Sequence, residues 1–266
     1  MDVSEILVTG GTGSLGRRVV DRLREADRGV RVLSRSGRPG TVQGDLLTGE
    51  GLERAVDGVG TIVHCASSRS RRTDVGGTEL LLRAAGQADV SRFVYVSIVG
   101  VDRNPHYFYY RVKRDTEKAV ERSPVPWTIL RATQFHEFVL KQIQFLERGP
   151  FVLVPKGFLL QPIDVGETAD RLAELALSEP DGRALDVGGP EVRTCADLAR
   201  SYLEAAGRRR RVVEVPLPGK MARAFREGAH LCPDRKYGRI RWEEFLHEAM
   251  RPSRAASTHG RTDRER

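Results

Sequence analysis

An apolar run at residues 6–9 passes straight into Gly10-Gly11-Thr12-Gly13-Ser14-Leu15-Gly16, and a helical pattern follows over residues 15–26. No other feature limits the possible folds as much. Glycine at positions 10, 13 and 16 permits a tight turn, lets the backbone approach a pyrophosphate, and lets the helix pack closely on the strand. The helix N-terminus then offers unpaired N–H groups and the positive end of its dipole to phosphate oxygens. Gly10, Thr12, Gly13, Ser14 and Leu15 are therefore candidate contacts to a phosphorylated ligand. A glycine-rich turn with no ligand is the plainer alternative. The place of this one, on the first strand–helix turn of a repeating strand–helix pattern, argues against it.

Residues 6–9, 30–34, 61–65, 92–97 and 127–131 read as strands, several apolar throughout, as in a parallel sheet covered on both faces. Residues 15–26, 49–56, 73–87 and 109–121 carry apolar side chains at three- and four-residue spacing and read as helices, and Val42-Gln43 adds a very short strand. This rhythm predicts an α/β fold with a doubly wound parallel sheet. After residue 132 it loosens. Helices are expected over 134–146, 165–177 and 195–206, the last capped by Thr194, with short strands over 151–154, 159–163, 184–187 and 211–215. The expected organisation is a core over residues 1–132, a small irregular C-terminal lobe over 133–250 that is not independent, and a basic tail over 251–266 too poor in apolar residues to fold.

Of the net charge of +8, Arg208–211 contributes +4 and the tail +3, so no basic face spreads over the fold and no nucleic-acid partner is expected. No stretch reaches the roughly 20 apolar residues of a membrane span, and residues 1–5 do not resemble a secretory signal. Three widely spaced cysteines, Cys65, Cys195 and Cys232, suit a reduced cytoplasm and show no metal spacing. The oligomeric expectation is a monomer or a homodimer.

The glycine loop, with Gly44-Asp45-Leu46, Val63-His64-Cys65-Ala66-Ser67, Phe93-Val94-Tyr95-Val96-Ser97 and Arg131-Ala132-Thr133-Gln134-Phe135, resembles the atypical short-chain dehydrogenase/reductase superfamily, of the NmrA-like, NAD(P)-binding kind, over about residues 4–250. The resemblance implies a Rossmann-type core with a small substrate lobe. It places Asp45 and Leu46 at the adenine, Ala66 and Ser67 along the ribose, and Ala132, Thr133, Gln134 and Phe135 near the nicotinamide. An NAD site usually ends its second strand in an acid that holds the ribose 2′-hydroxyl. Here the strand ends Leu33-Ser34-Arg35-Ser36. Ser34 and Arg35, with Arg17 and Arg38 nearby, suit a 2′-phosphate, so NADP(H) is the expected cofactor; a solvated loop charge is the alternative for Arg35.

Tyr109 and Lys113 are four residues apart, on one face of a helix. An ammonium there would favour the phenolate and reach the cofactor ribose. Ser97, at the end of a strand, could hydrogen-bond a substrate carbonyl. This set resembles the superfamily's catalytic Ser, Tyr and Lys and implies hydride transfer with a small carbonyl substrate. Packing at a helix start remains the alternative for Tyr109, since residues 106–110 are rich in aromatics. Gln134, Phe135 and His136 are substrate-contact candidates, and substrate is expected between the strand ends and the lobe. His64 and Cys65 read as core residues, Asp74 as structural, Asp164 and Glu167 as a helix cap and first-turn acid, and Arg69–72 as a solvated loop able to attract an anion. Two other functions remain open. One is a sensor that binds NADP(H) without chemistry. The other is a nucleotide-sugar epimerase or dehydratase, for which no diphosphate-binding cluster is evident.

Overall fold

The five long apolar strands lie side by side and parallel. The computed structural model describes residues 5–251; the expectation for the basic tail therefore lies outside the described residues, apart from Arg251. In chain order the elements are β1 (Glu5–Thr9), α1 (Ser14–Glu25), β2 (Val30–Ser34), β3 (Val42–Gln43), α2 (Leu52–Val56), β4 (Val59–His64), a π-helical turn (Arg72–Gly76), α3 (Gly77–Gln87), β5 (Arg92–Ile98), α4 (Phe108–Glu121) and β6 (Trp127–Ala132). There follow α5 (His136–Phe145), β7 (Glu147–Arg148), β8 (Phe151–Pro155), β9 (Leu159–Leu160), α6 (Val165–Leu177), β10 (Gly182–Arg183), β11 (Arg193–Thr194), α7 (Cys195–Ala205), β12 (Arg211–Val215), α8 (Lys220–Arg226) and α9 (Trp242–Ala249). Among the described residues no helix is long and apolar enough to cross a membrane.

The main sheet runs β10-β6-β5-β4-β1-β2-β3. Val8 sits opposite both Val32 and Val63, and Val63 opposite Val94. Successive strand side chains point to opposite faces, so each strand feeds two cores. Val8, Val63 and Leu130 pack under Val19 and Leu23 of α1 and Leu172 of α6. Leu7, Ile62 and Ile129 pack under α2, α3 and α4 through Leu52, Leu81 and Val120. This is why the strands read as continuous apolar runs. The order reverses at β1, and a crevice opens beyond the strand ends between β1 and β4, where open α/β sheets bind ligands.

A third cluster forms the C-terminal lobe. Val139 and Ile143 of α5, Val152 and Val154 of β8, Tyr202 of α7 and Trp242 of α9 pack together around the small mixed sheet β12-β8-β7. The division at residue 132 needs correction. Helix α6 buries Val165, Ala169 and Leu172 against the first core, and β10 adds an edge strand to the main sheet. The chain thus returns from the lobe to the core between about 163 and 187, because those apolar residues complete the sheet face that α1 covers only in part.

Local departures have local causes. The helix expected over 49–56 begins only at Leu52, because Gly49 (φ +85) and Gly51 (φ +73) form a left-handed turn ahead of it. The strand expected over 159–163 stops at Leu160, where the buried Gln161 side chain instead donates to Gly189 O and accepts from Cys232 N. The strand expected over 184–187 is displaced to 182–183, and Val187 keeps a single bridge to Ala132. Asp164 and Thr194 cap α6 and α7 as their positions imply.

Candidate active site

The glycine loop closes as tightly as its composition demands. Gly10 adopts φ +68, and a Cβ there would lie 2.7 Å from Ala66 N. A Cβ on Gly16 would lie 2.2 Å from Gly10 O, so α1 packs directly on the turn. No side chain caps the N-terminus of α1 at Gly13. The turn lines a groove of about 940 Å³ that runs from Gly10, Thr12 and Gly13 past Ser34, Arg35 and Arg38 to Asp45 and Leu46. Its other wall carries Ala66 and Ser67. The glycine cradle, which any side chain would fill, and the uncapped helix fit an extended dinucleotide. Nine of the cofactor candidates, Gly10, Thr12, Gly13, Ser34, Arg35, Asp45, Leu46, Ala66 and Ser67, line this groove. Leu15, Lys113, Ala132 and Thr133 line a second cavity instead, and Ser14 lines neither, its hydroxyl accepting from Arg18 Nη1.

The second cavity, about 450 Å³, shares Cys65 and Ser67 with the groove and extends from the ends of β5 and β6 into the lobe. Ser97, Tyr109 and Lys113 all line it, as do Gln134 and Phe135. Ser97 is buried and its Oγ has no hydrogen-bond partner, so a donor and acceptor is left for a ligand. Gln134 donates from Nε2 to Tyr110 Oη at 3.2 Å, and its buried Oε1 also lacks a partner.

Tyr109 and Lys113 share a helix face, yet the expected pairing needs correction. The Lys113 ammonium donates to Val96 O at 2.7 Å and lies 4.3 Å from the centre of the Tyr95 ring. Burial pushes its pKa down to about 8, against the raising effect of Asp74 and Glu117. The phenol's direct partner is Ser67, 3.0 Å away. Ser67 Oγ donates to Asp74 Oδ2 at 2.8 Å, so its lone pair is left to accept from the phenol. Burial raises the Tyr109 pKa rather than lowering it, so the group is a neutral phenol at neutral pH. Neighbouring Tyr110 also faces the cavity, buried at 2% exposure.

His136 does not reach the cavity, which corrects its place among the substrate contacts. Its ring stacks on Phe245 at 5.0 Å and donates from Nε2 to Ile240 O at 3.1 Å. It begins α5 on the side of that helix that packs into the lobe core, whereas Phe138, two residues on, lines the cavity. His64 is a core residue, as expected. Its Nε2 bonds Thr78 Oγ1 at 3.0 Å and its Nδ1 bonds Thr9 Oγ1 at 2.7 Å. Because Thr78 already donates to Asp74 O, His64 must donate to Thr78 and accept from Thr9. Glu167 is more than a first-turn acid, since it accepts from Arg239 N at 2.7 Å and ties the lobe to α6.

The aromatic wall of the cavity, formed by Tyr107, Tyr110, Phe138, Phe158 and Phe225, was not legible in the sequence. The density of aromatics at 106–110 was the only local signal, because Phe138, Phe158 and Phe225 come from distant parts of the chain. Asp74 proves to be an organising residue. It is buried and accepts from Ser67 Oγ, from Ser68 N at 2.7 Å and Oγ at 2.8 Å, and from Arg69 N at 3.2 Å.

A family profile described as NAD(P)H-binding matches residues 10–152. Among curated proteins, the chain is 31% identical over 223 residues to a (4-alkanoyl-5-oxo-2,5-dihydrofuran-3-yl)methyl phosphate reductase of Streptomyces griseus, across 79% of this chain and 77% of that one. It is 26% identical over 230 residues to a photosystem II assembly factor of Trieres chinensis, across 80% of this chain and 72% of the other. Among solved structures it superposes with a TM-score of 0.76 on an NADPH-dependent quinone oxidoreductase of Escherichia coli complexed with NADPH. That pair is 17% identical, across 92% of this chain and 100% of the other, a likeness of fold.

Proposed function

The chain belongs to the NAD(P)H-binding family, of the atypical short-chain dehydrogenase/reductase type, and from that premise we propose that it is an NADPH-dependent reductase of a small carbonyl or conjugated carbonyl compound. The observation that carries this reading is the junction of two cavities. An aromatic-walled pocket holding Ser97 and Tyr109 adjoins the groove that fits a dinucleotide at Cys65 and Ser67, which line both. The uncapped helix start and the glycine turn would hold the pyrophosphate, Asp45 and Leu46 the adenine end, and Arg35 a 2′-phosphate. Bound there, the nicotinamide supplies a hydride.

The chain's own residues account for the proton and the orientation. Ser97 Oγ, buried without a partner, is free to donate to a carbonyl oxygen. Tyr109 carries the proton to be delivered to that oxygen, and burial keeps it protonated at neutral pH. Ser67, itself held by Asp74, accepts from the phenol, and a carbonyl oxygen entering the cavity would take the place of Ser67 as the acceptor of that proton. Lys113 stiffens the end of β5 through Val96 and adds a positive charge beside the crevice. The aromatic walls exclude water, which strengthens each of these polar contacts.

The Streptomyces relative reduces a conjugated carbonyl compound by its name, which supports reduction; the assembly-factor relative favours a second reading, in which the same groove binds NADPH and reports it to a partner. Oxidation of NADPH by a panel of quinones, enones and ketones separates the two. Turnover of at least one class is expected. Tight NADPH binding with no turnover of any would refute the reductase reading in favour of the second.

A further inference from the structure

The loop after β4 sets one exposed cation, Arg69, at the rim of the cavity and holds its backbone in place. Arg69 holds φ +62, a left-handed conformation that an L side chain rarely adopts. The buried Asp74 keeps it there by accepting its N–H, while three further bonds to Ser67 and Ser68 pin the residues before it. The guanidinium lies 5.4 Å from the centre of the Tyr109 ring and 5.2 Å from that of Phe138, so it bridges the core loop and the lobe helix α5. Among the described residues its side chain makes no ion pair and no hydrogen bond. Its neighbour Arg71, by contrast, is paired with Asp115. The cavity lining includes two cations, Arg69 and Lys113, and no Asp or Glu at all.

An arginine whose contacts are aromatic rings keeps its N–H donors for another acceptor, and its planar fork matches a carboxylate or a phosphate. We infer that the cavity takes a carbonyl compound whose apolar body lies among Phe158, Phe225 and Ile143 and whose anionic group, a carboxylate or phosphate monoester, is gripped by Arg69 at the mouth. This rests on the reductase reading and narrows its substrate class. The backbone geometry is what makes Arg69 a specificity residue, because Asp74 fixes the loop that aims it across the entrance. The same aspartate fixes Ser67 beneath Tyr109, so the anion and the proton donor are placed by one anchor.

The test uses NADPH and three enones with the same apolar body, ending in a methyl ester, a carboxylate or a phosphate monoester. The carboxylate or the phosphate should exceed the ester in kcat/KM by about 10-fold or more, as expected for one charge-assisted fork. Which of the two anions is preferred identifies the group. Arg69→Gln should remove that preference, chiefly through KM, and leave the ester within about threefold and NADPH affinity within about twofold, because the guanidinium grips the anion equally in the ground state and the transition state. Arg69→Gly removes the guanidinium while relieving the left-handed backbone, so it should behave as Arg69→Gln does if the loop remains folded. Equal losses for ester and anion in both variants, or no preference in the unmodified protein, would overturn the inference. Calorimetric titration of the NADPH complex with decanoate and decyl phosphate supplies a readout without turnover. Arg69-dependent binding there, with no reduction of any enone, upholds the anion site and refutes the reductase reading. Turnover of neutral enones with no anion binding does the reverse.

Discussion

Replacing Arg35 with alanine should separate NADPH from NADH, which differ only at the ribose 2′ position. β2 ends at Ser34, and the groove beside it presents Arg35 and Arg38. Arg35 is exposed, and among the described residues its side chain has no ion pair and no hydrogen bond; only its carbonyl is engaged, by Gln43 Nε2 at 3.4 Å. The backbone contact survives the substitution, so the loop should keep its shape. Hydrogen bonds to charged groups contribute about 1.5–3 kcal/mol, and exposed ion pairs about 0–1 kcal/mol. An exposed guanidinium meeting a phosphate dianion falls between these, at about 1–2 kcal/mol, or about 5- to 30-fold in affinity. Arg35→Ala should therefore weaken NADPH by that factor and leave NADH within about twofold. Fluorescence titration of both dinucleotides at low and high ionic strength reads this directly, and the gap between them should narrow as salt screens the pair. Equal affinities of the unmodified protein for the two cofactors would refute the reasoning. So would an equal loss of both in the variant, which would make Arg35 a support of the fold rather than a reader of the phosphate.

Tyr109→Phe keeps the ring beneath Arg69 but removes the proton donor, so it should cut turnover by about 10²- to 10⁴-fold with NADPH affinity nearly unchanged; full activity in this variant would assign the proton to another group. Glu117 and Arg131 form a buried two-bond pair, at 2.7 and 2.6 Å with side-chain exposures of 0% and 3%, so Glu117→Gln should cost about 3–5 kcal/mol in denaturant unfolding. A loss below about 1 kcal/mol would show that the pair relaxes into water. Burial pushes the His64 pKa down to about 3, against about 6.5 in an unfolded chain. Above pH 6.5 both states are neutral there and stability is unaffected. As pH falls from about 6 to 4 only the unfolded chain takes up this proton, so stability should drop by about 1.4 kcal/mol per pH unit from this residue. His230, lowered to about 4, acts in the same direction. A flat stability profile down to pH 4 would contradict the burial of both rings.

The sequence alone carried whatever depends on neighbours a few residues apart. Gly10, Gly13 and Gly16 identify the phosphate turn because the turn, the backbone approach and the helix packing are all local demands on Cβ. The absence of an acid after Leu33 is visible in the same way, and so is the shared helix face of Tyr109 and Lys113. Runs of apolar residues placed the five strands, since a sheet covered on both faces leaves no polar side to read. What remained hidden depends on which distant elements meet. Whether the Lys113 ammonium turns toward Tyr109 or toward Val96 is decided by the position of β5 against α4, and burial then lowers its pKa. His136 and Gln134 are two residues apart, yet one faces the lobe core and the other the cavity, because α5 starts between them. The return of α6 and β10 to the main sheet answers an apolar face left open by α1, which no local pattern records. Asp74 and Arg69 look like ordinary loop residues in the chain. Only the fold brings the rings of Tyr109 and Phe138 against that guanidinium, because hydrophobic burial chooses partners by surface and not by separation along the sequence.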